Sequence, residues 1–177
     1  SMMISARKDI YLPQPATITE ARMMTQTERF FAFRMDGGKL GYMPGQFFEF
    51  SVPGIGEAPI SITSSPSEVP EGEFHMVIRR VGNVTNALHT METGAKVGVR
   101  GPFGTTFPVD GAMKGRDLLF VCGGIGLVPV ASAIKYVLAH RGDYGKITIL
   151  SGTRTPADRL FTDDLAAWSA REDIEFI

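Results

Sequence analysis

Between residues 16 and 81, short runs rich in β-branched and aromatic side chains alternate with turn signals. The pattern predicts strands over 16–24, 29–35, 46–52, 59–63 and 73–81, with another over 96–100, spaced as in an antiparallel sandwich or barrel. Asp36-Gly37-Gly38, Pro44-Gly45, Ser64-Ser65-Pro66 and Pro70-Glu71-Gly72 supply the breaks. Before the last strand, residues 83–91 start like a helix, with Thr85 as cap and Ala87, Leu88 and Met91 on one side.

After Gly101-Pro102-Phe103-Gly104 the periodicity changes. A strand over 117–122, a helix over 127–140, a strand over 146–150, a helix over 156–170 and a strand over 174–177 alternate as βαβαβ, which implies a parallel sheet with right-handed crossovers. Leu118 to Cys122 is uninterruptedly apolar, as in a strand covered on both faces. The second helix is expected to be capped by Thr155, with Pro156 first and Asp158 in its first turn. The chain reads as an all-β Greek-key barrel over 1–103, followed by an incomplete α/β parallel-sheet domain over 104–177. An unfinished sheet predicts exposed apolar surface centred on Ile147, Ile149, Ile174 and Phe176.

Composition narrows the possibilities. At 177 residues and 44% hydrophobic, the chain can bury a proper core. A formal charge of −1 implies no broad attraction to nucleic acid or to an acidic membrane. The single cysteine, Cys122, cannot close an internal disulfide or supply the thiolates of an iron-sulfur cluster, and reads as a core residue. His75, His89 and His140 have no carboxylates at ligand spacing, so no metal is expected. The apolar stretch 118–134 is short for a membrane span and is broken by glycines and a proline. With no signal peptide, the cytoplasm is the default location.

The stretch 122–134 carries candidate chemistry. Gly123, Gly124 and Gly126 allow a sharp turn after a strand, and Pro129 fits a first helical turn, so free N–H groups would point back at the glycines as an anion site. Gly124, Gly126 and Pro129 give G-x-G-x-x-P rather than the usual dinucleotide fingerprint, and a glycine turn that serves only packing competes with this reading.

Several motifs in order resemble the ferredoxin-NADP reductase superfamily, most of all the electron-transfer subunits of cytoplasmic hydrogenases, anaerobic sulfite reductase and dihydroorotate dehydrogenase. Glu57-Ala-Pro-Ile-Ser-Ile62 resembles the R-x-Y-S flavin strand and Gly82-Asn-Val-Thr85 the helix start that holds the flavin pyrophosphate. Cys122-Gly-Gly-Ile-Gly-Leu-Val-Pro129 resembles the nicotinamide-dinucleotide loop, and residues 151–161 resemble the G-x-R-x-x-x-D stretch. The motif's arginine is Ala58 here, and its aromatic is Ile60.

The resemblance implies FAD, held by Pro59, Ile60, Ser61, Ile62, Val77, Ile78, Arg79, Gly82, Asn83, Val84 and Thr85. It also implies NAD(P)H, held by Gly124, Ile125, Gly126, Pro129, Gly152, Arg154 and Asp158. Ser61 would sit near flavin N5 as the catalytic residue, although a strand serine that satisfies only a backbone group is the plainer alternative. An arginine at 154 suits a 2′-phosphate, yet the family keeps one with NAD as well, so NAD and NADP stay open. The expected partner is an iron-sulfur or catalytic redox subunit, with any [2Fe-2S] cluster in a further C-terminal segment or in that partner. The implied activity is an FAD-dependent NAD(P)H oxidoreductase subunit; the alternative is a flavin-binding adaptor with no nicotinamide activity.

Overall fold

The computed structural model describes residues 9–153, 155–156 and 159–177. Six strands form one antiparallel sheet: β1 (Gln14–Met23), β2 (Glu28–Met35), β3 (Phe47–Val52), β4 (Gly56–Ser61), β5 (Glu73–Arg79) and β6 (Lys96–Phe103), in the order β4-β3-β6-β1-β2-β5. The sheet curls like a barrel, but no ladder joins β4 to β5. They meet just past β4, where the Thr63 amide donates to the His75 carbonyl at 3.0 Å. Inward positions alternate as expected, so Phe31, Phe33, Phe48, Phe50, Phe74 and Met76 fill the interior. Helix α1 (Asn83–His89) adds Val84 and Leu88 to that core.

The second sheet is parallel, in the order β7-β8-β9, from β7 (Leu118–Gly123), β8 (Ile147–Gly152) and the two-residue β9 (Glu175–Phe176). Helix α2 (Leu127–Ala139) buries Ala131, Ile134 and Val137 against it, together with Phe120, Ile147 and Ile149. The outer face of the barrel joins this second core through Phe30, Ala32 and Val77. Two polar contacts fix the junction: Ser132 Oγ donates to the Ser64 carbonyl at 2.6 Å, and Lys135 of α2 pairs with Glu68 at 3.2 Å.

Four expectations need correction. Thr85 is not the cap of α1; Gly82 is, and the Thr85 hydroxyl reaches back from the first turn to accept the Gly82 amide at 2.9 Å. The last helix, α3 (Thr162–Ser169), starts later than 156. Leu160 and Phe161 plunge into the core first, and Phe161 takes a left-handed backbone (φ 55°) before the helix begins, with Asp163 and Asp164 in its first turn. Among the described residues strand β7 is covered on one face only: Leu119 and Val121 are 65% and 64% exposed, while Phe120 and Cys122 are buried. The bare apolar surface therefore lies at Leu119, Val121 and Leu150. It is not centred on Ile147 and Ile149, which are fully buried. Periodicity could not separate the two faces because both are apolar in this run.

Candidate functional site

The barrel and the parallel sheet meet at an open cleft of about 700 Å³, lined by Thr27, Glu28 and Arg79 on one side and by Gly123, Gly124, Ile125, Gly152 and Thr153 on the other. The sequence expectation included Arg79, Gly124, Ile125 and Gly152 of this set. Gly123 belongs to the glycine turn already singled out and Thr153 to the 151–161 stretch, while Thr27 and Glu28 were missed, because nothing in a strand-start threonine and glutamate distinguishes them from a solvated turn.

The three loop glycines have different physical reasons. At Gly123 an added Cβ would lie 2.7 Å from the Gly152 carbonyl oxygen, so the approach of β7 to β8 requires glycine. Gly124 has φ +51°, in the left-handed region. Gly126 has an ordinary helical backbone (φ −64°, ψ −16°) and open space around its would-be Cβ. The fold has no need of a glycine there. Residues Gly124–Gly126 make one turn of 3-10 helix that leads into α2, and Pro129 sits in the first turn of α2. Arg154 and Asp158 lie outside the described residues.

On the barrel side the expected flavin residues separate by face. Ile60 and Ile62 point into the barrel core, as do Ile78 and Val84, while Val77 packs against the second core. Their side chains are buried in this arrangement. Pro59, Ser61, Gly82 and Asn83 remain outward or partly outward. Among the described residues the Ser61 hydroxyl has no hydrogen-bond partner, so the alternative that it only satisfies a backbone group has no support in the structure. The Thr85 hydroxyl is already occupied by the Val81 and Gly82 amides, each at 2.9 Å.

Electrostatics single out a few groups. Glu28 and Arg79 face each other across the β2–β5 ladder, with Arg79 Nε 3.7 Å from the Glu28 carboxylate. Burial pushes the Cys122 thiol above its ordinary pKa, partly offset by a hydrogen bond with Ser151, so it is no activated nucleophile. Burial also lowers the pKa of His75, whose ring meets Phe30 edge-on at 5.1 Å.

A fit to the two implied cofactors rests on these observations. The unforced glycine at 126, the left-handed Gly124 and the cleft beside them suit the close approach of a phosphate to backbone. The free Ser61 hydroxyl and the start of α1 suit a flavin on the barrel.

Comparison with known proteins agrees. Residues 15–107 match the model of the oxidoreductase FAD-binding domain, and residues 120–176 match that of the oxidoreductase NAD-binding domain. The chain belongs to the oxidoreductase FAD-binding domain family. It is 41% identical over 148 residues to the sulfhydrogenase 1 subunit gamma of Pyrococcus furiosus, which covers 81% of the chain and 50% of that protein. It is 30% identical over 137 residues to a probable dihydroorotate dehydrogenase B (NAD(+)) electron transfer subunit of the same organism, which covers 77% of the chain and 48% of that protein. The chain thus spans about half the length of these relatives. Among solved structures, ferredoxin-NADP+ reductase from Plasmodium falciparum superposes with a TM-score of 0.73 at 18% identity, covering 93% of this chain and 69% of that one. The CS-b5R domains of human Ncb5or superpose at 0.79 and 19% identity, covering 96% and 52%. At these identities the likeness is one of fold, and it matches the barrel and parallel sheet expected from the ordered motifs. Among the described residues no helix is long and apolar enough to cross a membrane.

Proposed function

We propose that the chain forms the flavin- and nicotinamide-binding part of an electron-transfer oxidoreductase that works with an iron-sulfur or catalytic redox subunit. The observation that carries this reading is the cleft itself, where the end of a barrel strand and the glycine loop of the parallel sheet line one space. FAD would supply the exchange between a hydride and single electrons. The protein's own part is positioning. The backbone at Gly124–Gly126 receives the phosphate of NAD(P)H, Arg79 adds positive charge at the cleft, and the start of α1 with Ser61 orients the flavin. Ser61 is the proposed hydrogen-bond donor at flavin N5, and no side chain need act as acid or base. Gly152, Arg154 and Asp158 complete the proposed nucleotide site by the family pattern. Division of the chain near 103/104 follows from the same reading, as does a cytoplasmic setting, where a lone buried thiol stays reduced.

With Ala58 at the motif's arginine position, one charge-assisted contact to the flavin pyrophosphate is lost, which makes FAD binding about tenfold to a hundredfold weaker than with it. Heating the FAD-saturated, desalted protein and chromatographing the released flavin tests the barrel half of the reading. FAD is the expected product. Retention of FMN alone, or of no flavin after saturation, would overturn it. A flavin-binding adaptor without nicotinamide activity would retain FAD and fail to be reduced by NADH or NADPH.

A further inference from the structure

A carboxylate beside the proposed anion site needs a physical reason. Glu28 is only 8% exposed at the start of β2, at the lip of the cleft. Its carboxylate accepts hydrogen bonds from the hydroxyls of Thr25 and of Thr27, the latter at 2.7 Å. The turn that carries it is fixed as well: the Met24 amide donates to the Glu28 carbonyl at 2.9 Å, and the Arg80 amide donates to the Thr27 carbonyl at 3.2 Å. The other carboxylate oxygen lies 3.7 Å from Arg79 Nε, an ion pair rather than a hydrogen bond. Arg79 is half exposed, and its two terminal nitrogens have no partner among the described residues. Burying a carboxylate is costly, and a half-exposed ion pair returns little stability, so strand pairing alone does not account for Glu28.

We infer that Glu28 is a positioning residue: gripped by Thr25 and Thr27, it holds Arg79 by its Nε side and leaves the terminal guanidinium nitrogens free for a phosphate of the dinucleotide in the cleft. This rests on the reading of the cleft as a nucleotide site. Arg79 held in this way is preorganised, whereas a free arginine must lose rotamer freedom on binding. Glu28 without Arg79 would repel the same phosphate. The two side chains are therefore coupled, and the sign of that coupling is measurable.

The test is calorimetric titration of ADP-ribose, which carries the pyrophosphate but no reactive ring, into the wild-type protein, Glu28→Gln, Arg79→Met and the double variant. The expected result is about tenfold weaker binding for Arg79→Met, about threefold to tenfold weaker for Glu28→Gln, and little further loss when Arg79→Met is added to Glu28→Gln. Tighter or unchanged binding in Glu28→Gln, or the same Arg79→Met penalty in both backgrounds, overturns the inference. If Glu28→Gln does not fold, Thr27→Val loosens the same grip with both charges kept, and must weaken ADP-ribose binding in the same direction. Wild-type protein whose flavin is reduced by NADH or NADPH but that does not bind ADP-ribose refutes the positioning role alone; no ADP-ribose binding together with no reduction by either nucleotide refutes the cofactor reading beneath it.

Discussion

Gly126 separates a ligand requirement from a folding requirement. Its backbone is helical, and nothing lies within 4 Å of an added Cβ, so Gly126→Ala relieves unfolded-chain entropy without strain. A substitution of this type stabilises by about 0.4 to 1 kcal/mol. If a dinucleotide phosphate passes close to this backbone, Gly126→Val fills the ligand's place. Loss of one charge-assisted contact to a backbone N–H, worth about 1.5 to 3 kcal/mol, weakens NAD(P)H by about tenfold to a hundredfold. Gly123→Ala is the contrasting control. Its Cβ would meet the Gly152 carbonyl at 2.7 Å, so the β7–β8 pair must open, and stability should fall by about 1 to 3 kcal/mol. Thermal unfolding and equilibrium titration with NADH and NADPH read both quantities. A Gly126→Val protein that folds and binds nucleotide normally would refute the phosphate reading; one that fails to fold would refute the claim that the fold does not need this glycine.

Three further outcomes follow from other parts of the molecule. Burial holds the His75 pKa below its ordinary value, so the stability it confers is present at about pH 7.5 and lost as pH falls through and below about 6.5; the melting temperature should drop on acidification, and less so in His75→Gln. The bare face at Leu119, Val121 and Leu150 should bind a hydrophobic dye, and Leu119→Ser with Val121→Thr should reduce that signal without lowering the melting temperature, whereas Ile147→Ser, in the core, should unfold the protein. Cys122 should resist a thiol reagent in the native state and react once unfolded, since burial raises its pKa; rapid native labelling would contradict its place in the core.

The strand pattern revealed most of the barrel because β3 buries alternate positions and turn signals separate the runs, although β2 is buried on both faces where Phe30 and Ala32 join the second core. The ordered motifs led to the right family even though Ala58 and Ile60 depart from the flavin strand. What the sequence hid was direction. An apolar run such as 118–122 looks the same with one face covered or two, and Ile60, Ile62, Val77 and Ile78 could be assigned to a strand but not to a face. The start of α3 was hidden because the Thr155-Pro156 signal marks a separate 3-10 turn, after which Leu160 and Phe161 are drawn into the core before the helix begins. Glu28 was invisible for a related reason: it reaches the cleft only through its pairing with Arg79 across β2 and β5, some fifty residues apart in the chain.

The central claim is that one cleft brings a nicotinamide to a flavin on the barrel. Its most direct test is anaerobic titration of the FAD-saturated protein with NADH and, separately, NADPH, followed by the visible absorbance of the flavin. The account predicts that at least one of the two bleaches the flavin, and that Gly126→Val blocks this while retaining its FAD. A flavin that stays bound and oxidised with either nucleotide would contradict it.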